Sequence, residues 1–187
     1  MRTTKLQFQI SVDGYIAGPN GEMDWMTMPW SDDMLTYVDG IWKPVDTIVL
    51  GRRLAEGFIP AWESGPEGED QASIDKMNNT PKVVISNTLT TSPWKNATIA
   101  GGDPAGTVEG LKAQAGGDIM VAGGGTVARE LIGHDAIDEL HLFVNPVALG
   151  AGTPVFPHSD TARKLRTVHA QRFDCGVTAL HLEPVRS

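Results

Sequence analysis

A run of three glycines, Gly123, Gly124 and Gly125, lies between the apolar segment 118–122 and a helix-like segment. Glycines lack a side chain, so the backbone at this turn can approach a ligand closely. The N-terminus of the following helix presents free N–H groups and the positive end of the helix dipole, which together bind phosphate. The pattern therefore predicts a phosphate-binding turn. The alternative is a tight strand-to-helix turn whose glycines only permit packing against a neighbouring strand.

Two arginines, Arg52 and Arg53, follow Gly51 at the start of another helix-like segment. Cations in the first turn oppose the helix dipole, which is unfavourable by about 0.3–1 kcal/mol each. A bound anion would offset this unfavourable interaction of the arginines with the helix dipole. Two guanidinium groups beside free helix N–H groups suit a phosphomonoester such as the 2′-phosphate that distinguishes NADPH from NADH. The alternative is a surface ion pair between Arg52 and Glu56, one helical turn further on.

Acidic residues form a third candidate group. The N-terminal strand-like segment breaks at Asp13 into a long glycine-containing loop, and loops held by a rigid strand are preferred places for binding groups and lids. The alternative is a pair of structural turns, because Asp13 and Asn20 are each followed by glycine. Further on, Ser31 is placed as a helix N-cap, and Asp32 and Asp33 suit the first turn electrostatically even without a catalytic role.

The apolar pattern indicates which elements hold these groups. Short runs rich in Val, Ile and Leu alternate with helix-like segments, which is typical of a mostly parallel sheet covered on both faces. After Gly133 the later strand-like segments have no helices between them. We therefore predict an α/β domain with a central mixed, mostly parallel sheet flanked by helices and with antiparallel C-terminal strands. The predicted strands are 6–11, 47–50, 82–86, 118–122, 139–144, 165–173 and 177–182, the predicted helices are 31–42, 51–58, 104–115 and 126–132, and 60–70 is predicted as an acidic surface loop.

Composition narrows the class of protein. The 187 residues include 15 Lys and Arg against 23 Asp and Glu, a net charge of −8, which argues against a general nucleic-acid binder because phosphate contacts need a basic face. We expect one domain over residues 1–187. With one cysteine, no secretory signal pattern and no apolar run of transmembrane length, we expect a cytoplasmic protein without membrane contact. No metal site is expected, because no close ligand spacing occurs among His134, His141, His158, His169 and His181.

Several short segments also occur in a characteristic order. They are SVDGYIA (11–17), GEMDWMT (21–27), LGRR (50–53), VVIS (83–86), AGGG (122–125) and DELHLFVNPVALG (138–150). The combination resembles the dihydrofolate-reductase-like superfamily, and within it the stand-alone relatives of the reductase (C-terminal) domain of the bifunctional riboflavin-biosynthesis deaminase-reductase. The resemblance spans nearly the whole chain and implies that NADPH lies across the carboxyl ends of the strands.

The resemblance also implies which residues contact the cofactor. Ile16 would border the nicotinamide, and Ser86 and Asn87 would lie on the adenosine side. The 2′-phosphate end would be held by Gly51, Arg52, Arg53 and Leu54, and the pyrophosphate by Gly123, Gly124, Gly125, Thr126 and Val127, with Ala122 next to them. These assignments agree with the two phosphate-binding turns inferred from glycine and dipole arguments.

The substrate side departs from both prototypes of the superfamily. Dihydrofolate reductases place a carboxylate two residues after a proline at the start of the first helix, whereas Pro29 is followed at that offset by Ser31. Riboflavin-type reductases carry a T-V-L-A-D-D-P-like segment for the ribose phosphate, where this chain has I-V-L-G-R-R (48–53). We expect Asp32 to polarise or protonate the substrate. The predicted substrate-binding residues are Asp13, Trp25, Ser31, Asp33 and Phe58.

These features predict an NADPH-dependent reductase that transfers a hydride to a small heterocycle, either a 5-amino-6-(5-phosphoribosylamino)uracil-like compound or a pterin or dihydrofolate. The competing hypothesis is a non-catalytic nucleotide- or flavin-binding module of the same fold, which the serine at the carboxylate offset favours. A homodimer is one further expectation, because the C-terminal strands leave a sheet edge that a second copy can cover.

Overall fold

The computed structural model describes residues 1–186, in which strands and helices alternate up to residue 133 and strands follow thereafter. The strands are β1 (Thr4–Ser11), β2 (Tyr15–Ala17), β3 (Val45–Gly51), β4 (Lys82–Ile85), β5 (Ala97–Ala100), β6 (Asp118–Val121), β7 (Glu139–Asn145), β8 (Thr153–Pro154), β9 (Leu165–Arg172) and β10 (Thr178–Pro184). The helices are α1 (Asp32–Trp42), α2 (Arg52–Glu63), α3 (Gln71–Asn79), α4 (Pro104–Lys112) and α5 (Gly125–Gly133). None of the described helices is long and apolar enough to cross a membrane.

Eight of these strands form one sheet in the spatial order β5-β4-β3-β6-β1-β7-β10-β9, and β2 pairs with β8 separately. Neighbours from β5 to β7 run parallel, whereas β10 is antiparallel to both β7 and β9. The predicted mixed, mostly parallel sheet with antiparallel C-terminal strands is therefore confirmed. The parallel strands all end at the same side of the sheet, which we call the carboxyl edge. Strand β9 is the outermost strand at one side, and the homodimer through such an edge stays a prediction.

The central strands contribute side chains to both faces of the sheet, since successive side chains of a strand point to opposite sides. In β1, Leu6 and Ile10 enter the apolar cluster that contains residues of α4 and α5. The alternate residue Gln7 accepts a hydrogen bond from Trp42 at the end of α1. Helix α1 therefore covers one face of the sheet, and α4 and α5 cover the other.

Some elements differ from the sequence prediction. Helix α2 continues through Pro60 to Glu63, so the first part of the predicted loop 60–70 is wrong. Only one turn follows Pro60, and Trp62 packs against Phe58 in that turn with ring centroids 6.1 Å apart. Helix α3 was missed because it has no buried residue and so no apolar periodicity, although Asp70 caps it by accepting from the Ser73 N–H at 2.8 Å. Strand β5 was missed because it is a four-residue edge strand paired only with β4.

Candidate functional site

The two glycine turns meet at the carboxyl edge. Gly51 ends β3 and precedes α2, whereas Gly124 follows β6 and precedes α5. Because β3 and β6 are neighbours in the sheet, the turns touch: a Cβ added at Gly124 would lie 3.4 Å from the Gly51 nitrogen. Gly124 also has a φ of +87°, a conformation that L side chains rarely adopt. The positive φ and the close approach of the Gly51 backbone explain the glycine at 124, whereas a Cβ added at Gly51 would lie 3.1 Å from the Val127 Cγ2.

Neither helix at this contact has a side-chain cap. In α5 the Ala128 N–H donates to the Gly124 carbonyl at 3.0 Å, so the three N–H groups before it have no acceptor within the helix. The same holds for the first turn of α2. Both helix dipoles thus direct their positive ends to one place, which can bind an extended anion with more than one phosphate group.

The two arginines of α2 behave differently. Arg52 forms an ion pair with Glu56 along the exposed face of the helix. This is the ion pair that the sequence analysis gave as the alternative to phosphate binding. Exposed pairs of this kind contribute only about 0.3–0.5 kcal/mol, so an anion can compete for the guanidinium. Arg53 is exposed and forms no ion pair with another residue of the described chain. Helix α2 therefore has positive charge available at its N-terminus.

Apolar side chains surround the glycine contact. A Cβ added at Gly125 would lie 2.9 Å from the Ile16 Cδ1. One added at Gly123 would lie 3.1 Å from the Leu54 Cδ2. Val127 of α5 lies equally close to Gly51. The structure thus brings together predicted cofactor residues from β2, α2 and α5 that are far apart in the sequence.

The other predicted cofactor residues lie at the same edge with local hydrogen bonds of their own. Ser86 follows β4, and its Oγ accepts from two N–H groups of its own turn at 3.0 and 3.2 Å. The Asn87 Oδ1 accepts from the Gly102 N–H at 2.7 Å. The Ala122 N–H donates to a carbonyl of β3, and Thr126 is exposed in the first turn of α5. Cofactor contact by these four residues stays a prediction.

The acids at the start of α1 have different surroundings. Asp33 accepts from the Ser31 hydroxyl at 2.5 Å and from the Asp174 N–H at 3.2 Å, and the Cys175 N–H donates to Ser31. The Ser31 hydrogen bond lowers the pKa of Asp33. Ser31 and Asp33 therefore tie α1 to the turn between β9 and β10. Asp32 is exposed, and its carboxylate makes no hydrogen bond or ion pair within residues 1–186.

The remaining predicted substrate residues also make structural contacts. Asp13 accepts from the Gly150 and Leu149 N–H groups at 2.7 and 3.1 Å. The Ser11 hydroxyl and then the Gly150 N–H lower the pKa of Asp13 to about 2, so it is ionised at neutral pH. The Trp25 Nε1 donates to a carbonyl of its own loop, and Phe58 packs within α2. Substrate binding by these residues stays a prediction.

Comparison with known proteins decides the family. Residues 2–179 match the model of the RibD C-terminal domain. This chain belongs to the RibD C-terminal domain family. The resemblance stated from the short segments is thereby confirmed.

The relatives of this RibD C-terminal domain protein include two uncharacterized proteins of Bacillus subtilis (strain 168). YyaP is 29% identical over 178 residues, which cover 94% of this chain and 91% of YyaP. YwjB is 30% identical over 172 residues, which cover 92% of each chain.

Solved structures share the fold. A protein from Shewanella sp. PV-4, provisionally assigned to riboflavin biosynthesis, has a TM-score of 0.78 at 21% identity and covers 98% of this chain and 99% of its own. The Thermotoga maritima diaminohydroxyphosphoribosylaminopyrimidine deaminase/5-amino-6-(5-phosphoribosylamino)uracil reductase has a TM-score of 0.70 at 15% identity, over 98% of this chain and 57% of that longer chain. Enterococcus faecalis dihydrofolate reductase complexed with NADP(H) has a TM-score of 0.64 at 16% identity, over 98% and 97%.

The RibD-type domain also contains polar residues that the sequence analysis missed. The fully buried Asn145 at the end of β7 accepts from the Thr27 N–H at 2.8 Å and donates to the Gln9 Oε1 at 2.9 Å. The Gln9 Nε2 and the Trp30 Nε1 are buried donors without a partner among residues 1–186. A buried donor that lacks an acceptor costs about 1–3 kcal/mol. Amide side chains inside apolar strands were the available sequence signal, and both Gln9 and Asn145 carry it.

Proposed function

We propose that this RibD C-terminal domain protein is an NADPH-dependent reductase that transfers a hydride to a small heterocyclic substrate. The observation that carries the proposal is the contact between two uncapped helix N-termini at Gly51 and Gly124, with Arg52 and Arg53 beside it. A dinucleotide with a pyrophosphate and a separate 2′-phosphate needs two anion sites of this kind. NADH needs only one of them.

The residues present fit such a cofactor. The first turn of α5 would bind the pyrophosphate through its free N–H groups, and Thr126 of that turn is exposed. The first turn of α2 would bind the 2′-phosphate, with Arg53 as a guanidinium partner. Ile16 would form an apolar wall for the nicotinamide and exclude water there. NADPH, when bound, supplies the hydride.

Buried hydrogen-bond donors without a partner support the proposed substrate class. The buried Gln9 Nε2 and Trp30 Nε1 lack acceptors, and carbonyl oxygens and ring nitrogens of a pyrimidinone or pterin would supply them. Asp32 is the carboxylate at this end of α1 that is not engaged by other side chains, so it is our choice for polarising or protonating the substrate. The names of two fold relatives, a 5-amino-6-(5-phosphoribosylamino)uracil reductase and a dihydrofolate reductase, support this class.

Titration with NADPH and NADH, followed by protein fluorescence and thermal unfolding, tests the cofactor. NADPH at 100 times its Kd should stabilise the protein by about 2.7 kcal/mol. We expect Arg53→Glu to weaken NADPH binding at least tenfold, about 1.4 kcal/mol, and to leave NADH binding nearly unchanged. Arg172→Glu, at the exposed end of β9, is the matched control for the change in net charge. Equal losses of affinity for NADPH and NADH would refute the assignment of the 2′-phosphate to α2. No stabilisation by millimolar NADPH would refute the proposed cofactor.

A non-catalytic nucleotide-binding module is the second candidate, because Ser31 stands at the carboxylate offset and hydrogen-bonds to the hairpin turn. Mixing the protein with NADPH and a panel of dihydropterins and aminopyrimidinones separates the two functions. Oxidation of NADPH, followed by its nicotinamide absorbance, supports the reductase. Tight NADPH binding without oxidation for any substrate favours the module.

A further inference from the structure

A cluster of two histidines and one glutamate lies on the face of the sheet that α1 covers. The strand register pairs His141 of β7 directly with His181 of β10. Glu139 lies two residues before His141 on the same strand, so its side chain projects from the same face. The two histidines are 40 residues apart in sequence, which is why ligand spacing along the chain gives no sign of the cluster.

The three side chains place their ligand atoms close together. The Glu139 Oε2 lies 3.1 Å from the His141 Nε2 and 3.5 Å from the His181 Nε2. All three ligand atoms lie within 4.8 Å of one another. Ligands bound to Zn²⁺ at about 2.0–2.2 Å in a tetrahedron are roughly 3.3–3.6 Å apart. The separations fit one ion, but the two imidazole rings are stacked with centroids 4.4 Å apart and planes at 27°, so the rings would rotate to direct both Nε2 atoms at the ion.

A second observation concerns the buried imidazole nitrogens. His141 is 4% exposed, and its Nδ1 has no hydrogen-bond partner within the described chain. The His181 Nε2, which faces the Glu139 carboxylate, is also buried and without such a partner. Native proteins rarely leave buried nitrogens unpaired. A metal ion at the centre of the cluster would give the His181 Nε2 its missing partner.

The charges around the cluster agree with this. Hydrogen bonding from His141 lowers the pKa of Glu139, and burial lowers the pKa of His181. Lys5 of β1 would repel a bound cation, since its Nζ lies 3.7 Å from the Glu139 Oε2. Its nearer partner is Asp118 at 2.8 Å, which neutralises most of that effect.

We propose that Glu139, His141 and His181 bind one divalent transition metal ion, for which Zn²⁺ is the probe. Two imidazoles and one carboxylate are a ligand set that Zn²⁺ accepts, and water would complete the tetrahedron. The site lies near the start of β7, where Glu139 and His141 are about 20 and 13 Å along the strand from Asn145 at the carboxyl edge. The ion therefore joins β7 to β10 and takes no part in the cofactor site.

The test uses the full chain without an affinity tag, dialysed against EDTA and then freed of the chelator. Calorimetric titration with Zn²⁺ should give one site per chain. His181→Gln and Glu139→Gln should each weaken binding at least tenfold, whereas His158→Gln, an exposed histidine elsewhere, should leave it unchanged. At 100 times the Kd, Zn²⁺ should raise the Tm of the wild-type protein by roughly 5–10 °C.

Three outcomes would overturn the site: no binding up to 1 mM Zn²⁺ (about the weakest Kd in ordinary use), binding that survives His181→Gln and Glu139→Gln, or loss of binding in the His158 control. His181→Gln should still fold, because that side chain is 18% exposed, and folding is checked by circular dichroism. Co²⁺ absorption of the wild-type protein gives an independent readout of tetrahedral coordination. NADPH affinity should be the same with and without Zn²⁺, so the outcome for the metal site is independent of the proposed reductase.

Discussion

Replacing Gly124 by alanine tests the contact on which the proposed cofactor site depends. Gly124 has a φ of +87° and a ψ of 90°, and an L residue held in such a conformation costs about 1–3 kcal/mol. The new Cβ would lie 3.4 Å from the Gly51 nitrogen and 3.5 Å from the Gly51 Cα, so backbone atoms of the neighbouring turn must give way. Both effects destabilise the folded protein.

The size of the effect can be stated for two measurements. For a domain of this length each kcal/mol shifts the Tm by about 2–4 °C, so the Tm of the Gly124→Ala protein should fall by roughly 2–12 °C. The methyl group would press on the Gly51 backbone, so the two helix N-termini that form the proposed phosphate site would have to move apart. We expect NADPH binding to weaken at least tenfold, which corresponds to about 1.4 kcal/mol.

Gly57→Ala is the matched control. Gly57 lies in α2, and a Cβ added there meets no atom within 4 Å. This substitution should leave NADPH affinity unchanged and stabilise the protein by about 0.5–1 kcal/mol, because alanine is the better helix former. If Gly124→Ala lowers the Tm but binds NADPH like wild type, the backbone geometry is right and the phosphate assignment is wrong. If neither quantity changes, the contact itself is wrong.

Two further predictions concern acidic residues. Asp138 accepts hydrogen bonds from Lys112 at 2.5 Å and from Arg186 at 2.7 Å. Burial raises the pKa of Asp138, but these hydrogen bonds and one from the Thr4 N–H outweigh the effect of burial, so the pKa is lowered overall. Asp138→Asn should therefore cost about 2 kcal/mol at pH 7. The difference should shrink as the pH falls below about 4, because the carboxyl then takes up a proton in the unfolded wild-type protein while the folded carboxylate, with its lowered pKa, stays ionised to lower pH. A Tm difference that grows in acid would contradict this. Asp32→Asn should lower the turnover of NADPH oxidation without changing NADPH affinity, since its carboxylate is exposed and forms no hydrogen bond or ion pair within residues 1–186. Unchanged turnover removes Asp32 from the mechanism.

Local patterns were enough to find the parts of the candidate cofactor site but not their arrangement. Glycine followed by a helix start identified both Gly51 and Gly124, because the conformational and electrostatic reasons act within a few residues. Their contact depends on β6 lying beside β3, although β4 and β5 come between them in the sequence. Strand order is a property of the whole sheet, so no local pattern shows which turns become neighbours.

The polar contacts were harder to foresee. Ser31 and Asp33 satisfy N–H groups of the turn at Asp174, more than 140 residues further along the chain. The sequence placed both residues correctly at a helix start, and only the folded chain shows what lies opposite. The pairing of His141 with His181 has the same origin, since it follows from the register of two antiparallel strands.

The position of β1 affects how the protein folds. The first strand of the chain lies in the middle of the sheet, and its partners are β6 and β7. During synthesis, the apolar side chains of β1 stay unpaired until at least residue 121 has left the ribosome, which favours slow folding and a role for chaperones. The turns at Gly51 and Gly124 come together only when β6 has entered between β3 and β1, so the proposed cofactor site forms late in the assembly of the chain.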